Sequence, residues 1–561
     1  MAHDATGCDV LVVEDLGQQR LPARALVAVL REAGLCARLV HFGVGSDLGE
    51  TVALAQSEQP RLIVLSILFA YLVEENLALA ARLRAAGVTA HVTMVGPLPT
   101  FAWASLLAAC PESVEGACPE SVEGACPALD SVLRGEAEAS IVQLAAGLRD
   151  GADWRTVPGL AHRSPEVRTN PLPRLVPDLD ALPFPARDDG IPTCLGLGFA
   201  TVESGRGCYH TCTFCLPRAF YSAGPGAPYR LRSVPNLVEE MDALYRRGVR
   251  LFLFDDEQFL PPGRARLERV QALGDALERR GLDVAFTIKC RADDVRGAQR
   301  DAQDEALFRQ LKAMGLVRVY LGLESGCQAS LDLLGKGVTA SDNARALAVL
   351  DALDIVTDFY SLLFHPWSTL ETLRAEVEFL ERVLPLVSTA FTFNEVEPYP
   401  GTPLVERLRA ERFGLREAKE SARDTPWLLP YTIADPAAEL LRRLARVVFG
   451  SRNADGGLHA RIVQAWYDVL LLRRFGPQRL AAHEARTLRD VVTHLNRESL
   501  ALWREMLSFA AGSDLYDAVR VNERAAAWAG RVTALDMTVE EEVARLRPRL
   551  ALPRFALHRS L

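Results

Sequence analysis

Three cysteines, Cys208, Cys212 and Cys215, lie in the stretch ESGRGCYHTCTFCLPRAF with the spacing Cys-x3-Cys-x2-Cys. Thiolates are soft anionic ligands, and a run this tight suits an iron–sulfur cluster. A four-iron cubane takes one ligand per iron, so three thiolates leave one iron without a protein ligand. An open coordination position is what separates a catalytic metal site from a structural one. Phe214 directly precedes the third cysteine and sets an aromatic face beside it. The alternative is zinc, with His210 inside the run as a fourth ligand. Against zinc, the spacing is uncommon and the chain has no second CxxC pair.

Those cysteines need strands to hold them. Phe199–Glu203 reads as a strand feeding the cysteine loop, and further strand-like runs follow at Leu251–Asp255, Val284–Lys289, Arg318–Leu323, Val356–Phe364 and Phe391–Val396. Segments between them, including Val234–Arg247 and Ala265–Arg280, carry apolar residues at helical spacing. Six strand–helix units make a partial barrel, with functional groups expected at the carboxyl ends of the strands. The second strand ends in three carboxylates, Asp255, Asp256 and Glu257. The third ends at Arg291, whose planar fork matches a carboxylate. The fourth ends at Glu324. The fifth runs into His365 and Trp367, which are either packing residues or substrate contacts, and the same choice holds for Tyr209, His210, Cys290 and Cys327.

The pattern CxxxCxΦC resembles the signature of the radical S-adenosylmethionine (SAM) enzymes. The resemblance implies that Cys208, Cys212 and Cys215 hold a [4Fe-4S] cluster, that its open iron chelates the amino and carboxylate groups of SAM, and that Phe214 packs on the adenine. The strand ends agree in order. Asp255–Phe259 (DDEQF) is similar to the DDxF found where simpler members carry GGEP. Gly322–Gly326 (GLESG) is similar to GxESG, Lys336-Gly337 to the KG that follows it, and Tyr399–Pro403 to the PYPGTP turn. Carried over, Asp255, Asp256 and Glu257 meet the SAM ammonium, Arg291 clamps its carboxylate and Glu324 helps to hold it. His365-Pro366-Trp367 departs from the GxPGET of many relatives.

Ahead of this region, residues 8 to about 150 alternate apolar runs (Asp9–Val13, Ala37–Phe42, Leu62–Ser66, His91–Val95, Leu129–Leu133) with helix-like segments. That alternation predicts a parallel sheet covered on both faces, with ligands beyond the carboxyl ends of its strands. Ser66-Ile67-Leu68 and Gly96-Pro97, with 27 residues between Leu68 and Gly96, resemble the SxL…GG half of a cobalamin-binding pattern, Pro97 replacing the second glycine. The other half, DxHxxG, supplies an axial histidine; the matching loop EDLGQQ has Leu16 and Gly17 in its place. The resemblance implies a Rossmann-like domain that touches cobalamin through Leu16, Gly17, Ser66, Leu68, Gly96 and Pro97, with no histidine on cobalt. Val132–Glu138 (VLRGEAE) is similar to the RGEGE turn of such domains. The octet ACPESVEG at 109–116 repeats at 117–124, a duplication too short for a solenoid and expected in an exposed loop.

The 561-residue chain is 49% hydrophobic and 24% charged, the composition of several globular domains. A net charge of −9 without a polybasic run argues against a nucleic-acid partner. The longest apolar run, Leu62–Val73, is too short to cross a bilayer. The N-terminus lacks a signal-peptide pattern, and the dispersed cysteines fit reduced thiols, so a cytoplasmic location is expected. The division expected is a cobalamin-binding domain over 1–150, a proline-rich linker over 151–195, the barrel over 196–410 and a helical domain over 411–561 that caps the substrate opening. No cysteine follows Cys327, so a single cluster is expected. The fold class is α/β with a helical C-terminal domain. The resemblance implies a cobalamin-dependent enzyme, most often a methyltransferase acting on an unactivated carbon of a small-molecule or peptide substrate, fed by an electron donor such as flavodoxin or ferredoxin. Rearrangement, cyclisation or oxidation is the alternative within enzymes. A cobalamin-binding sensor or carrier with an inactive barrel is the alternative outside them, and the intact cysteine triplet argues against it.

Overall fold

The computed structural model describes residues 7–14, 21–42, 46–108, 128–163, 166–295, 301–387, 394–412, 427–453, 457–476, 478–512 and 517–550. Near its start the chain forms a sheet of β1 (Val10–Glu14), β2 (Ala37–His41), β3 (Leu62–Ser66), β4 (His91–Val95), β5 (Ser131–Leu133), β6 (Leu160–Arg163) and β7 (Val167–Thr169), in which β1, β3, β4 and β5 are buried on both faces and the edge strand β7 is exposed. The order is β2-β1-β3-β4-β5-β6-β7, parallel through β5 and antiparallel beyond it. Helices Leu21–Glu32 and Glu138–Asp150 cover one face; Val73–Ala85 and Pro97–Ala108 cover the other. The chain reverses its winding at β1, where the order places β2 and β3 on opposite sides, so a crevice opens beyond the strand ends.

The strands β6 and β7 correct the expectation of a linker from residue 151. The dense prolines begin only at Pro171, and the ten residues before them supply two antiparallel strands at the sheet edge.

A second sheet contains β8 (Thr193–Cys194), β9 (Leu197–Val202), β12 (Val249–Phe254), β13 (Ala285–Arg291), β14 (Leu316–Glu324), β15 (Val356–Phe364) and β16 (Asn394–Glu395). A hairpin of β10 (Gly205–Gly207) and β11 (Tyr229–Leu231) interrupts it. The order is β16-β15-β14-β13-β12-β9-β8, and all neighbours run parallel except β8. This is the half-barrel that the alternating pattern predicted. Side chains alternate along each strand. Phe252, Phe254, Phe286, Ile288 and Val319 point outward into the largest core, beneath the covering helices.

On the inner side the two ends of the strands differ. Leu197, Leu251 and Ala285, toward the amino ends, pack with Leu471 of the helix Leu458–Phe475. Asp255, Lys289, Arg291 and Glu324 stand toward the carboxyl ends. The C-terminal helices therefore fill the amino end of the half-barrel, while the first domain faces the carboxyl end. The last two helices, Gln478–Ala510 and Ala518–Leu550, are each 33 residues long; no proline or glycine interrupts the first, and the second contains Gly530 and, in its last turn, Pro548. Among the described residues no helix is long and apolar enough to cross a membrane.

Buried ion pairs join the two sheets. Arg206 reaches Glu138 at 2.5 Å and Arg230 reaches Glu136 at 2.7 Å, so the turn after β5 is locked to the hairpin whose two strands bracket the cysteines. Removing one partner of such a pair would leave a buried charge uncompensated.

Candidate active site

The cysteine loop leaves the hairpin at Gly207, which has φ +79°, and a Cβ there would lie 1.8 Å from the Pro228 carbonyl oxygen. Only glycine fits that turn. The Thr213 amide donates to the Leu334 carbonyl at 3.0 Å and the Leu404 amide donates to the Thr213 carbonyl at 3.0 Å, which ties the loop to the barrel. Cys215 occupies the N-cap of the helix Leu216–Ala223. All three cysteines are half-buried. Burial pushes the Cys208 thiol up to about 11 and the Cys215 thiol up to about 12, so a bound metal is what would keep them as thiolates.

Their spread separates the two metal readings. Zn–S bonds of about 2.3 Å in a tetrahedron hold sulfurs roughly 3.8 Å apart. Among the described residues, only Glu14, His41 and Asp189 bring three ligand atoms within 4.8 Å of one another. Cys208, Cys212, Cys215 and His210 do not form such a group. Ligands on separate irons of a cubane stand farther apart than those on one zinc ion, so the loop is consistent with a cluster.

A cavity of about 580 Å³ lies between the sheets. Ser66, Leu68, Gly96 and Pro97 line it from the first domain, and Phe214, Cys215, Asp255 and Glu257 from the barrel. Gly96 has φ +127°, and a Cβ there would lie 2.0 Å from the Ile67 carbonyl oxygen, so the backbone of the β3 and β4 loops can approach closely only without a side chain. Leu16 and Gly17 lie outside the described residues.

The three acidic residues after β12 divide their work. Asp255 faces the cavity and pairs with Lys289. Asp256 does not line the cavity. Its carboxylate accepts from the Ser204 amide at 2.6 Å, from the Ser204 hydroxyl and from the Gly205 amide at 3.2 Å, and burial pushes it up to about 7. It clamps the turn that leads into the cysteine loop. Glu257 lines the cavity and accepts from the Gly207 amide at 3.0 Å; burial pushes it to about 7. Sequence reasoning missed Lys289, which stands two residues before Arg291 on the inward face of β13; strand alternation was the signal that could have found it.

Arg291 and Glu324 stand behind the cavity wall rather than on it. The Arg291 guanidinium donates to Asp293 at 2.8 Å, to the Lys336 carbonyl and to the Cys212 sulfur at 3.2 Å. Glu324 adopts φ +64°, costly for a residue with a side chain, and pairs with Lys336 at 2.8 Å. Its turn is held from two helices. Asn343 donates to the carbonyls of Leu323 and Ser325 at 3.0 and 2.8 Å. Glu376, buried, accepts from the Ser325 hydroxyl and from the amides of Gly326 and Cys327 at 2.7 and 3.3 Å.

The expected pocket residues are not brought together. His365 is buried with Nε2 2.9 Å from the Ser330 hydroxyl, and burial lowers its pKa to about 4. The Trp367 indole donates to Glu411 at 2.9 Å beneath the Arg407 guanidinium. Neither lines the cavity, and Tyr209 donates instead to the Leu260 carbonyl at 3.3 Å. Trp367 and Tyr209 have their polar atoms satisfied, whereas the buried Nδ1 of His365 has no hydrogen-bond partner among the described residues. A second cavity of about 410 Å³ shares Phe69, Phe214 and Tyr399 with the first and is floored by Glu395, Arg442 and Arg446.

Comparison with known proteins agrees with the loop geometry. Residues 202–416 match the model of the radical SAM superfamily. The chain carries a radical SAM domain. The match spans the cysteine loop and the half-barrel, so a [4Fe-4S] cluster and SAM are its cofactors. An uncharacterized methyltransferase of Pyrococcus horikoshii is 27% identical over 367 residues, covering 63% of this chain and 71% of the relative. The anaerobic magnesium-protoporphyrin IX monomethyl ester cyclase of Rubrivivax gelatinosus is 28% identical over 258 residues, so the chain spans only 43% of that relative's length. The structure of the cobalamin-dependent radical enzyme OxsB, with aqua-cobalamin and SAM bound, superposes with a TM-score of 0.66 at 18% identity over 98% of this chain and 84% of that one. At that identity the likeness concerns the fold.

Proposed function

We propose that this radical SAM enzyme binds cobalamin between its two sheets and methylates an unactivated carbon of a small-molecule or peptide substrate. The observation that carries the reading is the shared cavity, in which the loops resembling a cobalamin pattern face the cluster loop across one space. When bound, the cluster and SAM supply hydrogen abstraction and cobalamin supplies a transferable methyl group. The chain's own residues position and enclose. Gly96 leaves room for a bulky cofactor edge, while Phe69, Phe214 and Tyr399 form aromatic walls that exclude water. Asp255 and Lys289 present an ion pair to whatever enters, and Glu257 presents a carboxyl group that burial keeps partly protonated near neutrality.

The methyltransferase among the relatives supports methylation, and the cyclase supports a cobalamin-assisted cyclisation or oxidation as the second reading. Products separate them. Anaerobic incubation with substrate, SAM, cobalamin and reduced flavodoxin should yield 5′-deoxyadenosine and S-adenosylhomocysteine in equal amounts if a methyl is transferred. Deoxyadenosine without the homocysteine product would move the enzyme to the second reading. Neither nucleoside would leave a carrier. Free thiols among the described cysteines support the cytoplasm as the place of work.

We assign Glu324 to SAM binding, with Glu376 holding its turn. Glu324→Gln and Glu376→Ala should each weaken SAM binding by about 1–3 kcal/mol, the cost of losing a charged hydrogen bond or leaving buried donors unpaired. Iron content should stay at the wild-type value. Calorimetric titration of SAM reads the difference, and unchanged affinity in both variants would remove Glu324 from the site.

A further inference from the structure

We propose that Arg291 tunes the reduction potential of the cluster through a charge-assisted hydrogen bond to the Cys212 sulfur, and that it is not a ligand of the SAM carboxylate. The inference rests on the cluster reading of the cysteine loop. The Arg291 guanidinium is nearly buried, and its position does not depend on the sulfur. Nε donates to Asp293 Oδ1 at 2.8 Å, and Nη2 donates to the Lys336 carbonyl and, at 3.4 Å, to Asp293 Oδ2. With those anchors set, the remaining arm, Nη1, meets Cys212 Sγ at 3.2 Å.

The three cysteines are treated differently. Cys208 receives a backbone amide, His210 N–H, at 3.4 Å, whereas Cys212 receives a permanent cation. Hydrogen bonds to ligand sulfurs and net charge are among the levers that set cluster potentials. When an external donor passes one electron to the cluster, the negative charge on the cluster and its thiolates grows by one unit. A guanidinium touching one sulfur stabilises the reduced form, which carries the larger negative charge, more than the oxidised form. Asp293 offsets part of the effect, but it sits on the far edge of the guanidinium, so the sulfur meets the positive end of the pair.

The test uses full-length protein with reconstituted cluster and no SAM, titrated anaerobically with titanium(III) citrate while electron paramagnetic resonance counts the reduced cluster. Arg291→Gln should shift the reduction equilibrium about tenfold toward the oxidised form, a fall of about 59 mV for one electron. Arg291→Lys keeps the charge without the fork and should fall between the two. Asp293→Asn, which removes the counter-charge and leaves the sulfur ligands intact, should shift the equilibrium the other way and keeps the test open if Arg291→Gln loses iron. Unchanged potentials in the iron-replete variants would overturn the proposal, and a loss of SAM affinity at unchanged potential would make Arg291 a SAM ligand after all. A wild-type protein that takes up no reducible cluster would instead count against the radical SAM reading on which the inference stands.

Discussion

Cys212→Ala should lose the cluster and abolish SAM cleavage while leaving the fold intact. Wild-type protein reconstituted anaerobically should bind about four irons per chain, the content of a cubane. Each cysteine serves one iron, and the loop offers no spare soft anion, so a missing thiolate releases the cluster rather than loosening it. The fold should persist because other groups hold the loop. Thr213 is bonded through both its amide and its carbonyl, and Asp256 fastens the turn at Ser204. Cys212 itself is only half-buried. Iron and sulfide assay, circular dichroism and the yield of 5′-deoxyadenosine read the three parts separately. If the variant lacking all three cysteines still produced deoxyadenosine, the assignment of the loop would be wrong.

The order of strands and the place of the cysteines were legible in the sequence because each rests on a local pattern. β15 runs over Val356–Phe364, the residues its apolar run marks, and the loop after β9 carries the triplet where the barrel logic puts it. What the sequence could not show is the direction of neighbouring side chains at a strand end. Asp255 and Asp256 are chemically alike, yet one faces the cavity and the next turns away to hold Ser204. Arg291 shares the inner face of β13 with Lys289, but a residue two places on, Asp293, captures its guanidinium and carries it behind the wall. Glu376 was invisible for a different reason. It comes from a helix about fifty residues beyond the turn it clamps, and only tertiary packing brings the two together.

Two buried carboxylates thus do the same job at two places. Asp256 fixes the entry to the cysteine loop, and Glu376 fixes the turn of Glu324 in its left-handed conformation. Each gathers several donors from one short turn, which is how a group on a loop acquires the precision of one on a strand. Between them they define where the cluster and the turn behind it sit, and the cavity is the space left between those supports and the ends of β3 and β4.

Cobalt bound in that cavity should carry no histidine nitrogen. Among the described residues that line it there is no histidine. The loop after β1, where a DxHxxG pattern would place one, contains none in its sequence. The nearest candidate by topology is His41 at the end of β2, but its Nδ1 lies 3.1 Å from Glu14 and its Nε2 3.2 Å from Asp189, so both ring nitrogens face carboxylates. The Glu14 carboxylate raises its pKa, which favours the protonated imidazole, a form with no lone pair for a metal. Cobalamin bound there would take no ligand from a histidine of the cavity lining. Electron paramagnetic resonance of the Co(II) form reads this directly, because a coordinating nitrogen splits each cobalt line into three. Unsplit lines are expected, both in the wild type and in His41→Ala. Triplets in the wild type that vanish in His41→Ala would show that the ring leaves its carboxylates for the metal, and a protein that binds no cobalamin at all would reduce the function to radical SAM chemistry alone.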